Sequence, residues 1–382
     1  MKEVRIEVWG VLSLNKKQIL IFELFFLTLF IGLTVFLFSY DFKEHVNNQF
    51  YTFHSKYAKY FSLACTFLII VEAQFLWSKF TKAQLDLIIE QNNKILSQNL
   101  ELLEQKKEIL EHQQKIERQN RDITDSINYA GRIQAVLLPS QRKIDRIFGD
   151  YFLYFKPKDI VSGDFYWAEE FGDNSIVAVA DCTGHGVPGA FVSMMGISFL
   201  NEIFLSAKAN HEKIEPSLFL NRLKEKLVQS IANTESDEEA FDGLDISVCM
   251  IDRLNNILKF SGALLTVFHV SNISKNQEAM KLEQLKPDIH PISMKNYGHH
   301  IFKTIEMPYE PGDMLYLVSD GFADQFGGDE GRKFLTVNLK TLLQSIADKP
   351  LNKQKERLDV KFERWKGNNE QVDDITILGI RL

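Results

Sequence analysis

The sequence predicts an α+β protein: two antiparallel β-sheets sandwiched between helix layers, preceded by a two-helix transmembrane hairpin and a coiled-coil stalk. Three observations carry this reading. Beyond residue 150, short runs rich in Val, Ile, Phe and Tyr succeed one another through short turns. The regular strand–helix alternation of a doubly wound sheet is missing there, which favours antiparallel sheets with helices outside. Between residues 79 and 125, apolar residues recur every seven positions. Ahead of them lie two apolar stretches of membrane-spanning length, 19–40 and 60–77.

The 382 residues carry 44 Lys and Arg against 51 Asp and Glu, a formal net charge of −7, so the chain lacks the basic footprint of a nucleic-acid binder. Its three cysteines, Cys65, Cys182 and Cys249, form no CxxC pair. Neither a zinc site nor a disulfide framework is indicated by them.

Residues 1–78 form the membrane segment. As a helix, the stretch 19–40 covers roughly 33 Å, enough for a bilayer core. It lacks the short apolar region and small-residue cleavage site of a secretory signal. The stretch 60–77 is just long enough to span. Glu23 and Glu72 lie within the two stretches; such groups sit near an interface, face the partner helix or serve a function. The connection 41–59 is too small for a folded sensor domain. Lys and Arg are balanced on the two sides and do not orient the hairpin. Two spans leave both chain ends on the same side.

Residues 79–125 contain neither Pro nor Gly. Ile88, Ile95, Leu102, Ile109, Ile116 and Ile123 keep the heptad, and Ile89, Leu96, Leu103 and Leu110 form a neighbouring apolar row. The row that would complete a conventional seam is polar: Asn92, Asn99, Lys106, Gln113 and Asn120. Such a seam associates modestly and can shift between rows. It suits a parallel dimeric stalk that carries a conformational signal, or an inert spacer. Residues 126–149 link the stalk to the domain, with Gly131 and Pro139 as punctuation. Ile127, Ala130, Ile133, Val136 and Leu137 share one face of 126–138, a helix expected to dock on the globular domain. A short helix, 141–148, comes next.

In the domain, 150–382, strands are expected at 151–156, 164–169, 175–180, 244–251, 257–261, 264–270, 301–306, 314–318 and 375–380. Helices are expected at 189–207, 216–233 and 337–365, the last broken near Pro350. Acidic residues stand where several strands begin or end, beside small residues: Asp164, Asp181, Asp320, Asp373 and Asp374. Antiparallel strands bring such ends to one rim. Carboxylates gathered without His or Cys suit Mg²⁺ or Mn²⁺. The spacing points to an oxygen-ligated metal site; two such ions can activate water and clamp the attacking and leaving oxygens, and phosphate-ester hydrolysis is the reaction that most needs this.

At these residues the chain resembles a known family. The segments Gly163-Asp164, Ala180-Asp-Cys-Thr-Gly-His-Gly-Val-Pro-Gly-Ala-Phe191, Asp242-Gly-Leu-Asp-Ile246, Val318-Ser-Asp-Gly-Phe322 and Gln371-Val-Asp-Asp-Ile-Thr376 are similar, in order, to the motifs of bacterial SpoIIE/RsbU-type serine/threonine phosphatases of the type 2C metal-dependent superfamily. The resemblance covers about 126–382. It implies the double-sheet fold and two Mn²⁺ or Mg²⁺ ions. Asp181 would bridge them, with the backbone carbonyl of Cys182 as a further ligand. Asp164 would serve the second ion, Asp320 and Asp373 the first, with Asp374 beside it as a supporting group. The implied nucleophile is metal-bound hydroxide. His185 would protonate the leaving oxygen or order the turn. Asp324 is expected to shape its loop, and Lys156 to face the substrate phosphate or simply solvent.

Family members commonly act on a phosphoserine or phosphothreonine of a STAS-type anti-sigma-factor antagonist, which would put the domain on the cytoplasmic side of the bacterial inner membrane. The resemblance also implies that 126–138 is a switch element driven by the stalk. The chain departs from the family at Gly262-Ala-Leu-Leu-Thr266 and Pro291-Ile-Ser-Met294, away from the metal carboxylates, where substrate fit is set. A catalytically silent module that sequesters such a partner is the alternative reading. A membrane histidine kinase would need a glycine-rich nucleotide-binding segment that the sequence lacks, and His112 is the stalk's only histidine.

Overall fold

A computed structural model describes residues 50–184, 186–232, 243–273, 280–293 and 300–382, with the single positions 25, 28, 29 and 32. The chain divides into two compact units, Met1–Glu111 and His112–Leu382. Helix α1, Phe50–Leu137, supplies most of the described part of the first and the beginning of the second.

In the first unit the stretch 19–40, with Glu23, falls outside the described residues except for 25, 28, 29 and 32, which are helical. The stretch 60–77 is helical, and Leu63–Phe148 holds an 18-residue window apolar enough to cross a bilayer, none of it buried. Leu63, Phe67, Leu68, Phe75 and Trp77 all face outward, as do the heptad residues from Ile88 to Ile109. Glu72 is exposed as well.

The second unit is built around β1 (Tyr151–Lys156), β2 (Phe165–Phe171), β3 (Asn174–Cys182), β4 (Leu244–Asp252), β5 (Ile257–Ala263), β6 (Val267–Ser271), β7 (Lys281–Leu285), β8 (Ile305–Pro308), β9 (Met314–Val318) and β12 (Ile375–Arg381). Two five-stranded sheets result, β1-β12-β9-β6-β7 and β2-β3-β4-β5-β8; a two-stranded ribbon pairs β10 (Phe326–Gly327) with β11 (Arg332–Lys333). Every strand pairing within them is antiparallel.

The period-two pattern sorts side chains into three apolar layers. Helix α2 (Gln141–Phe148) inserts Ile144 and Ile147 at the edge of the middle one. Ile176, Ala178 and Ala180 of β3 face outward onto α3 (Gly186–Ala209) and α4 (Pro216–Ala232). Val177 and Val179 face inward and meet Leu315 and Leu317 of β9 and Leu378 of β12 between the sheets. Met314, Tyr316 and Val318 point to the opposite outside, where the single turn α5 (Gly321–Asp324) adds Phe322. Helices α6 (Thr336–Ile346) and α7 (Leu351–Lys366) cover that layer. Each fully buried Leu, Ile or Phe contributes roughly 1.5–3 kcal/mol. Helix α3 is apolar enough to span a membrane by composition, yet half of that window is packed against the sheet, so it is a core helix.

Strand β7 was not expected: its Lys-Leu-Glu-Gln-Leu pattern is an edge strand with alternate residues exposed. The run expected at 301–306 pairs only from Ile305. The linker helix also differs. Helix α1 runs through Gly131 to Leu137. Ile133, Val136 and Leu137, expected on the docked face, are instead 44%, 84% and 37% exposed. The face that packs down carries Ile127, Ala130, Gly131, Gln134 and Leu138, with Gln134 the most buried. Apolar periodicity missed this because the centre of the contact is a polar side chain.

Candidate active site

Asp164 precedes β2, Asp181 is the penultimate residue of β3, Asp320 lies two residues past β9, and Asp373 and Asp374 lead into β12. Register explains why these meet. Val318 pairs with Ile377 across β9 and β12, and just beyond, the Ser319 amide donates to the Thr376 carbonyl at 2.9 Å. In the other sheet Asp181 lies opposite Asp245. Asp164 fastens the two sheets together: its Oδ2 accepts from Ser319 Oγ at 2.6 Å and from Thr376 Oγ1 at 2.7 Å. Its Oδ1 is buried with no hydrogen-bond partner.

These acids crowd one another in a poorly solvated place. Burial pushes the Asp164 carboxyl up to about 8 against the pull of its two hydroxyl partners, and the charges of Asp374 and Asp320 add to the rise. Asp181 is pushed up to about 11, first by burial and then by Asp164, Asp320 and Asp373, and its carboxyl is hydrogen-bonded to that of Asp320. Burial likewise raises Asp320. Asp245 rises to about 6 through burial and the charge of Asp320. Burial and the surrounding acids lift the Cys182 thiol well above its ordinary range, so it contributes no thiolate.

Such a set demands positive charge. All its side-chain donors are oxygens, and one buried carboxylate oxygen has no partner, so the residues fit a hard divalent ion. The gathering is looser than the sequence suggests. Among the described residues, the one group of three His, Cys, Asp or Glu side chains with all ligand atoms within 4.8 Å lies elsewhere, at Asp288, His290 and His300. At the rim Asp181 and Asp320 touch, and the others stand around them.

The backbone is shaped to let these groups approach. A Cβ on Gly189 would lie 2.0 Å from the Gly184 carbonyl oxygen, and one on Gly321 would lie 2.0 Å from that of Asp374. The Cys182 carbonyl faces Gly163 in the same packing. Asp374 is occupied by the backbone on both oxygens: Oδ1 accepts from the Lys158 amide and Oδ2 from the Gly163 amide, each at 2.7 Å. It thereby holds the loop that presents Asp164.

His185 lies outside the described residues. Asp324 pairs with Lys333 at 2.7 Å. Lys156 does not face the rim's acids: it pairs with Glu363 and lies 5.2 Å over the ring of Phe362, both on α7.

Sequence reasoning gave no role to Asp245, although it lies inside a quoted motif; its opposition to Asp181 emerges only from strand register. Nor did it single out Ser319 and Thr376, hydroxyls set in apolar strands next to acids. Gln134 was missed too. Its Nε2 donates to the Ser162 carbonyl at 2.6 Å and to Ser193 Oγ at 2.7 Å, and its Oε1 accepts from the Ser162 amide at 3.1 Å. Helix α1 thus grips the chain two residues before Asp164, and α3 with it.

Comparison with known proteins bears on the family and the fold. Residues 172–382 match the family model of stage II sporulation protein E (SpoIIE). Among solved structures, the SiaA PP2C domain of Pseudomonas aeruginosa is 30% identical with a TM-score of 0.59, covering 69% of this chain and 98% of that one. The PP2C phosphatase domain of SpoIIE from Bacillus subtilis, with part of its regulatory domain, is 18% identical with a TM-score of 0.47, covering 61% of this chain and 63% of that one. The RsbU and RsbW domains of a Mycobacterium tuberculosis protein are 17% identical with a TM-score of 0.47, covering 61% and 59%. No curated protein sequence matches.

Proposed function

Because the chain belongs to the SpoIIE family of PP2C-type, metal-dependent protein phosphatases, we propose that it hydrolyses a phosphoserine or phosphothreonine on a cytosolic regulatory protein of the STAS anti-sigma-factor-antagonist type. The reaction is assigned to the carboxylate rim. The observation that carries this is the unpartnered, buried Oδ1 of Asp164 among acids whose burial and mutual repulsion call for cations.

Asp181, Asp320 and Asp373, Asp164, and the Cys182 carbonyl are the proposed ligands of two Mn²⁺ or Mg²⁺ ions. When bound, the ions supply charge neutralisation for phosphoryl transfer and activate water. The chain's own groups do the positioning. Ser319 and Thr376 fix one oxygen of Asp164 so that the other is aimed, and Asp374 steadies the loop before it. By the family resemblance, His185 is proposed to protonate the leaving oxygen or to order its own segment.

The proposed organisation is an inner-membrane segment (1–78) with spans near 19–40 and 60–77, a dimerising stalk (79–125), a switch (126–149) and a cytoplasmic phosphatase domain (150–382). The outward stripe from Ile88 to Ile123 supports pairing of two stalks, since each residue in it is roughly half exposed. The grip of Gln134 on Ser162 supports coupling between switch and centre.

The test assays the full chain, in detergent or membranes, on a small phosphoester with added Mn²⁺. Hydrolysis that depends on the metal and is abolished in Asp181→Asn is expected. Equal silence of both proteins, with a phosphoprotein partner still bound, would leave a binding module. Removing residues 1–125 should change rate, metal affinity or oligomeric state; no change in all three would refute the coupling.

A further inference from the structure

A second cluster of ligand-type side chains lies between β7 and β8, outside the carboxylate rim. Asp288 is pinned to the sheet by its backbone: its amide donates to the Gly262 carbonyl at 2.8 Å, and its carbonyl accepts from the Leu264 amide at 2.9 Å. Its side chain gathers two imidazoles. His290 Nδ1 lies 2.7 Å from Oδ1, and His300 Nε2 lies 2.6 Å from Oδ2. The two rings stack at 4.2 Å with planes 22° apart. His300 is itself held from behind: its carbonyl accepts from Lys224 Nζ at 2.9 Å, and its ring stands edge-on to Phe302.

Two features distinguish this from an ordinary surface ion pair. All three ligand atoms lie within 4.8 Å of one another, on side chains only 25–28% exposed. His300 Nε2 is shut off from solvent and, although close to Asp288, makes no hydrogen bond of proper alignment. An imidazole nitrogen buried without a directed partner, beside a second imidazole and a carboxylate, is a donor set in need of an acceptor.

We propose that Asp288, His290 and His300 bind one zinc ion, separate from the ions of the phosphatase centre. Two nitrogens and one carboxylate oxygen match the ligand preference of Zn²⁺, with a fourth position left to water, and are poorly suited to Mg²⁺. The absence of paired cysteines excluded only a thiolate zinc site. The ion staples the chain leaving β7 to the chain entering β8. Within that stapled segment Ile292 exchanges backbone hydrogen bonds of 2.9 and 3.0 Å with Leu244, the residue before Asp245. The zinc therefore braces a wall of the rim without taking part in its chemistry.

The experiment titrates the full-length chain carrying Asp181→Asn with zinc alone, in competition with a chelating dye, so that binding at the rim is weakened beforehand. One zinc per chain is expected, with four-coordinate absorption bands when Co²⁺ replaces it. His290→Ala and His300→Gln should each weaken zinc by more than about 100-fold, beyond the 10–100-fold cost of losing an outer partner. Zinc should raise the melting temperature of the parent and not of either variant, each compared with its own zinc-free value, and a single cooperative zinc-free transition in each variant separates ligand loss from misfolding. Less than a stoichiometric zinc in the parent, or zinc affinity unchanged in His300→Gln, overturns the proposal and leaves an aspartate-bridged imidazole pair.

Discussion

At the rim of the double sheet, Asp164 and Asp181 are pushed up to about 8 and about 11, whereas Asp288 is held below the ordinary carboxylate range. Burial opposes the charged form at both places. Company decides the outcome. The rim acids are surrounded by further acids, so repulsion adds to desolvation. At Asp288, hydrogen bonds from the His290 side chain and backbone, with the charge of the neighbouring His300, outweigh the burial. The same residue type therefore builds two different receptors: one set of oxygens that lacks positive charge, and one mixed set that already has donors and offers nitrogen. The first calls for a hard ion, the second for a borderline one.

Three interventions break or sharpen that contrast. The largest effect is expected from Asp164→Asn, which should lower Mn²⁺-dependent turnover by roughly 10²–10³-fold, the scale for losing one preorganised charge-stabilising group. Zinc stoichiometry at Asp288, measured on the same protein, should be unchanged; a parallel loss would show that the two places are one system.

Next, Gln134→Ala should weaken Mn²⁺ binding by about 10–100-fold, as removal of an outer-shell partner does, again with zinc unaffected. Isothermal titration with each metal reads this directly. Unaltered Mn²⁺ affinity would mean that the helix contact at Ser162 is packing alone.

The smallest effect concerns pH. Asp164 carries a proton to about 8 when folded and only to its much lower ordinary value when unfolded. Between those limits the folded chain holds more protons, so stability should fall as pH rises. Asp288, depressed in the fold, contributes stability that is complete above its unfolded value and is lost as pH falls through the folded one. In chelator, the melting temperature should therefore drop by several degrees from about pH 5 to about pH 8. Asp164→Asn should reduce that slope, to which the raised Asp181 also contributes, and Asp288→Asn should alter only the acid side. Calorimetric scans across pH provide the check.

Much of the double sheet was legible because β3, β9 and β12 are apolar runs that stop or start at aspartates, and strands buried on both faces lack the ambiguity of half-polar ones. Strand β7 was illegible for the opposite reason, being an edge strand with polar residues on its open face. The acids at strand ends could be named from sequence, but Asp245 could not be given a role, since its place opposite Asp181 is a property of register. The helix before the domain was recognised, yet its docked side was rotated, because Gln134 and not an aliphatic residue sits at the contact. The Asp288 cluster left no trace in spacing: His300 stands ten residues from His290, and only the fold stacks their rings.

One oxygen of Asp164 is tied to hydroxyls on both β9's exit and β12, while its main chain enters the opposite sheet. A single carboxylate is thus a rivet through two layers. Any sliding of one layer over the other must turn that rivet and re-aim its free oxygen. A shift at the seam where Ser319 and Thr376 sit would therefore reach the proposed centre directly, with no dedicated relay.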